Sequence, residues 1–112
     1  MPLYMSTFGY KPEVWAGLVK SPEDREEAVG QILEEAGCKL RGLWYAFGDA
    51  DGFVLIEAPD NVTAAGLAIA ITSSGAFRKF ETTAVMTQSE ALDALQVAAN
   101  VHYAAPAEGV HA

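Results

Sequence analysis

Two apolar runs, Leu40 to Phe47 and Phe53 to Ala58, are separated only by Gly48-Asp49-Ala50-Asp51-Gly52. Extended apolar segments joined by a short Gly/Asp loop specify a β-hairpin. An antiparallel pair therefore sits in the middle of the chain, and every other element must be arranged around it. Upstream, Leu3 to Phe8 reads as a strand that Gly9-Tyr10-Lys11-Pro12 ends. Downstream, Phe77 to Met86 reads as another, with Thr82, Thr83 and Val85 favouring extension.

Helix signals fill the gaps between these strands. Pro12 suits a first helical turn, so Glu13 to Lys20 is expected to be a short helix with Val14, Trp15 and Leu18 inward. Ser21-Pro22-Glu23-Asp24 has a capping hydroxyl, a proline and acids, the composition of a helix start. Ala28, Val29, Ile32, Leu33 and Ala36 follow at helical spacing, and Gly37 stops the helix as a left-handed cap. Pro59 closes the hairpin, and Asp60 caps a helix that is apolar nearly all round from Ala64 to Ile71 and ends at Thr72-Ser73-Ser74-Gly75. Thr87-Gln88-Ser89-Glu90 is a capping box for a last helix bearing Ala91, Leu92, Leu95, Ala98 and Ala99. The order is β-α-β-β-α-β plus a C-terminal helix, an α+β ferredoxin-like pattern with helices on one face of a four-stranded antiparallel sheet. Residues 1–103 form one domain, and 104–112 read as a mobile tail.

Charge and cysteine content restrict the partners. Fifteen acids against seven bases leave a net charge of −8, which argues against a nucleic-acid or anionic-membrane surface. The single cysteine, Cys38, allows neither an intrachain disulfide nor a structural zinc pattern, and no resident cofactor is expected. The N-terminus lacks a secretory pattern, and the ten-residue run from Val62 to Ile71 is too short to span a bilayer. These features point to a cytoplasmic protein.

Two helices cover one face of such a sheet, so the other face of a monomer should be polar. Here both strand parities are apolar or aromatic. Leu43, Tyr45 and Phe47 alternate with Gly42, Trp44 and Ala46; Phe53 and Leu55 alternate with Val54 and Ile56. A homodimer joined through the open sheet faces is expected, with small compounds lodged in the hollow between the pair. The other arrangement folds the C-terminal helix over the second face.

The stretch Trp44-Tyr45-Ala46-Phe47-Gly48-Asp49-Ala50-Asp51-Gly52-Phe53-Val54-Leu55-Ile56-Glu57-Ala58-Pro59-Asp60 resembles the signature of the GYD-domain family, named for a Gly-Tyr-Asp at this hairpin. Ser21-Pro22-Glu23-Asp24-Arg25, Asn61-Val62-Thr63-Ala64-Ala65 and the segment from Thr82-Thr83 to Glu90-Ala91 are similar too, and the resemblance spans about residues 3 to 103. The family tyrosine is Ala50 here, so any role of its hydroxyl is missing. The resemblance implies a dimeric α+β barrel. Barrels of that architecture include cofactor-independent monooxygenases, polyketide cyclases, haem enzymes and ligand sensors, an analogy of fold alone.

Several side chains are candidates for chemistry. Glu57 shares a strand face with Phe53 and Leu55, where desolvation would suit a catalytic acid or base; the plainer alternative is an ion pair with Arg41, Arg78 or Lys79. His102, at helical spacing from Leu95 and Ala98 and beside Tyr103, suits proton relay or haem or metal ligation; the alternative is a histidine stabilised by a helix C-terminus. His111 lies in the tail. Asp49 and Asp51 flank a turn and suit either a cation or turn hydrogen bonds. Tyr4, Ser6, Tyr10, Trp15, Trp44 and Tyr45 form an aromatic and hydroxyl set suited to a planar ligand, or to an ordinary core and dimer seam. Cys38 follows a helix end, where nothing lowers its thiol pKa. The functions in contention are a small-molecule-binding dimer, with or without cofactor-free proton transfer or oxygenation by Glu57 or His102; a metabolite sensor or accessory protein; a haem or metal protein using His102; and a purely structural dimer.

Overall fold

A computed structural model describes residues 1–106. Its elements are β1 (Leu3–Tyr10), α1 (Pro12–Lys20), α2 (Arg25–Glu35), β2 (Lys39–Tyr45), β3 (Gly52–Glu57), α3 (Asn61–Ser73), β4 (Phe77–Val85) and α4 (Gln88–Ala99). The strands form one antiparallel sheet in the order β2-β3-β1-β4. This is the expected α+β ferredoxin-like arrangement. The expected tail from 104 to 112 and its His111 lie, from residue 107 onward, outside the described residues.

Local hydrogen bonding explains the boundaries. Asp60 accepts from the Thr63 N–H at 2.8 Å and starts α3. Thr87 and Glu90 close the reciprocal capping box of α4. Gly37 holds the left-handed conformation, with φ of 76°, that ends the α2 turn. The start of α2 departs from expectation: Asp24, not Ser21, is the cap, accepting from the Glu26 and Glu27 N–H groups. Ser21 is occupied elsewhere, its N–H closing α1 on the Gly17 carbonyl at 2.8 Å. β1 runs two residues beyond Phe8 because Gly9 and Tyr10 pair with Lys79 and Phe77 across a register shift.

Register assigns each side chain to a face. Tyr4, Ser6, Phe8 and Tyr10 of β1 share the helix-covered face with Val54 and Ile56 of β3 and with Phe80 and Thr82 of β4. A buried core of Tyr4, Leu33, Cys38, Ile56, Ala58 and Ala64 fastens α2 and α3 to one end of the sheet. The opposite face carries Leu3, Met5, Trp44, Phe53, Leu55, Glu57 and Val85, of which Trp44 and Phe53 are exposed and the others half-buried.

The last helix does not fold back over that second face. Helix α4 buries none of its residues and packs extensively on no other described element, leaving Leu92 and Leu95 exposed. An elongated outline of 61 × 31 × 23 Å accords with this.

Candidate functional site

Along β1 the helix-covered face changes character. At the Tyr4 end it is closed by the core, and the Tyr4 hydroxyl donates to Asn61 Oδ1 at the start of α3. At the Tyr10 end it is aromatic. Tyr10 packs on Trp15 with ring centroids 5.2 Å apart and on Phe77 at 5.3 Å, while Phe8 meets Tyr45 at 6.1 Å and Phe77 at 6.0 Å. Between these ends the helices stand off the sheet and leave a cavity of about 710 Å³. Its volume falls in the ~300–1,000 Å³ range of small-molecule sites.

The cavity floor is Ser6, Phe8 and Tyr10 of β1, Leu43 of β2, Val54 and Ile56 of β3, and Phe80 and Thr82 of β4; Leu67 and Ile71 of α3 supply part of the wall. The lining is mostly apolar. Polar side chains interrupt it chiefly at two places. On the floor, the Ser6 and Thr82 hydroxyls share a hydrogen bond of 2.8 Å. At the α1–α2 end, Arg25 pairs with Glu23 at 3.1 Å, near the Tyr10 hydroxyl. Burial works against the Arg25 guanidinium, but Glu23 and Tyr10 outweigh it and hold its pKa above the ordinary value. Burial, and then the Tyr10 hydroxyl 3.4 Å away, push the Tyr45 phenol well above its usual value.

The hairpin loop braces this end. One Asp51 oxygen accepts from the Tyr10 N–H at 2.8 Å and the Trp15 indole N–H at 3.2 Å, and lies 3.3 Å from Arg78. Burial raises the Asp51 pKa, but these donors more than compensate, so it lies below the ordinary carboxylate value. Exposed Asp49 pairs with Lys79 at 3.0 Å, which holds its pKa below the ordinary value as well. Both aspartates are thus engaged by protein donors. Among the described residues no group of three or more His, Cys, Asp or Glu is placed to hold a metal ion.

The structure divides the candidate residues. Ser6 and Tyr10 line the cavity; Tyr45 and Trp15 buttress Tyr10; Tyr4 lies in the core beyond it. Trp44 is on the opposite face, its ring across Gly42, where a Cβ would collide with it. Glu57 is also on that face and pairs with Arg41. His102 is not on the stripe of the last helix: α4 ends at Ala99 with Asn100 as its cap, and His102 is exposed beyond it. Burial pushes the Cys38 thiol up, and its S–H points to the Ala36 carbonyl. This hollow lies within one chain, between the sheet and its own helices. Sequence reasoning missed Phe77, Phe80 and Thr82, although their alternation on the fourth strand and the β1–β4 pairing place Phe80 and Thr82 beside Phe8 and Ser6.

This is an α+β protein with a mostly apolar cavity under its helices. The family profile described as GYD domain matches residues 4–95, and the chain belongs to that family. No curated protein matches the chain. Among solved structures, the crystal structure of MtbAldR superposes with a TM-score of 0.58 at 11% identity, covering 94% of this chain and 59% of that one. The chain therefore spans less than two thirds of the length of that structure, and the likeness is one of fold. No helix among the described residues is long and apolar enough to cross a membrane.

Proposed function

We propose that this GYD-domain protein is a homodimer whose subunits each bind a small apolar or aromatic molecule between their own sheet and helices. The observation that carries the reading is the cavity of about 710 Å³, lined by aliphatic and aromatic side chains with few polar groups. The role is binding, as a metabolite sensor or accessory protein, rather than catalysis. Glu57 and His102 both lie outside the cavity lining, so neither supports a proton-transfer mechanism there. Support for the dimer comes from the second sheet face. Leu3, Met5, Leu55, Phe53, Trp44 and Val85 leave an apolar surface that no described helix covers, and apolar side chains of α4 are likewise exposed.

The test uses N-phenyl-1-naphthylamine, an uncharged dye that brightens in apolar surroundings. A saturable rise at one dye per chain is expected for the wild type. Val54→Trp, which fills the cavity floor, is expected to remove the rise while leaving the unfolding transition cooperative. Native mass spectrometry of the same samples is expected to show twice the chain mass. A wild-type protein that leaves the dye dark overturns the binding reading, and a lone chain at micromolar concentration overturns the dimer.

A further inference from the structure

The Ser6–Thr82 pair has chemistry beyond holding two strands together. These residues are direct partners across β1 and β4, and cross-strand hydroxyl pairs do stabilise sheets. This pair, however, lines the cavity, and Ser6 is 5% exposed. Two hydroxyls carry two protons, and the bond between them uses one. The second O–H and the unused lone pairs remain on a mostly apolar floor whose other hydroxyl, that of Tyr10, is engaged with Tyr45.

The next rung toward the aromatic end is Phe8 opposite Phe80. Two residues along a strand are about 6.8 Å. Phe77 packs against both rings, at 6.0 Å from Phe8 and 5.5 Å from Phe80. An aromatic platform therefore adjoins a single hydroxyl donor. The charged lining groups Glu13, Glu23 and Arg25 come from α1, the α1–α2 connection and α2 rather than from the sheet, and Arg25 is already paired with Glu23. An ionised ligand group seated inward, beside the 5% exposed Ser6, would lose most of its hydration without a counter-charge.

From this geometry we infer the ligand class: an uncharged aromatic compound carrying a carbonyl oxygen, its ring over Phe8 and Phe80 and its oxygen accepting from the Ser6–Thr82 pair. The inference rests on the binding reading above and narrows it to one chemistry.

Two probes of similar shape test it, 2-acetylnaphthalene and 2-ethylnaphthalene, which differ in the carbonyl. Equilibrium dialysis against the full chain is expected to show the ketone bound roughly three- to tenfold more tightly, the range of one hydrogen bond. In the double variant Ser6→Ala, Thr82→Val the preference is expected to fall to about one, with the hydrocarbon bound as before. Thr82→Ser, which keeps the hydroxyl, is expected to retain the preference; a merely structural pair would not make selectivity follow the hydroxyl. Equal wild-type affinity for the two probes overturns this inference and leaves the binding reading standing, as does a preference that survives the double variant. Binding of neither probe overturns this inference, and together with a dark N-phenyl-1-naphthylamine assay overturns the binding reading too.

Discussion

The Asp51 carboxylate accepts the indole N–H of Trp15 at 3.2 Å, linking the β2–β3 loop to helix α1. The same oxygen accepts from Tyr10 and lies against Arg78, so one side chain joins β1, α1 and β4 around the aromatic end of the cavity. Asp51→Ala leaves the Tyr10 and Trp15 N–H groups without this acceptor. A loss of about 1–3 kcal/mol in unfolding free energy is expected by urea titration. The pH dependence has a definite sign. The folded carboxyl has a pKa below the unfolded value of about 3.9. Its contribution is therefore complete above that value and is lost as pH falls below it through the folded pKa. Wild-type and Asp51→Ala stabilities are expected to converge on acidification, and a constant gap down to pH 2 would contradict this.

Leu55 is half-buried on the open sheet face, beside Met5 and Gly42. In the proposed dimer it lies inside the contact. Leu55→Glu is expected to weaken association by about two orders of magnitude or more, the scale of a central interface residue. Sedimentation at graded concentrations reads this directly. Dye binding is expected to persist in the dissociated chain, because every lining residue of the cavity comes from one copy.

Two glycines make opposite predictions. A Cβ at Gly66, inside α3, meets no atom within 4 Å, so Gly66→Ala is expected to stabilise by about 0.5–1 kcal/mol. Gly37, at φ of 76°, ends the α2 turn in a conformation that costs other residues about 1 kcal/mol. Gly37→Ala is expected to destabilise by that amount. Thermal unfolding of the two variants on either side of the wild type confirms the pair.

Thr87 caps a helix that packs extensively on no other described element of its own chain. Thr87→Ala is expected to cost α4 about 1 kcal/mol. Hydrogen exchange should therefore quicken roughly fivefold across Gln88–Ala99 and stay unchanged in β1. Uniform acceleration throughout the chain would show that α4 is coupled to the sheet.

What was legible in the chain was local. Asp60, Thr87 with Glu90, and Gly37 act within a few residues of themselves, so type and spacing reveal them. The start of α2 was ambiguous because Ser21 and Asp24 are both acceptors, and only the beginning of the helix at Arg25, which brings the Glu26 and Glu27 N–H groups to the Asp24 carboxylate, decides between them. The end of α4 at Asn100, two residues before His102, was not apparent from apolar spacing that continued past it. Alternation sorted each strand into two parities but did not say which parity lies under the helices. That is why the candidate set mixed Trp44 of the open face with Ser6 and Tyr10 of the cavity. Thr82 was missed because its partner Ser6 is 76 residues away, and only the strand order brings the two hydroxyls together.

The cavity is not sealed at the sheet edge. Thr82 and Ala84 are exposed on the helix-side parity of β4, and a shallower hollow of about 360 Å³ continues from Phe80 and Thr82 toward Ile69, Thr72 and Ser73. For the guest proposed above, this edge would be a way in that displaces no helix, and a chain too long for the chamber would trail along this gutter into water. In the proposed complex, a site open along the sheet edge would sort its guests by girth rather than by length.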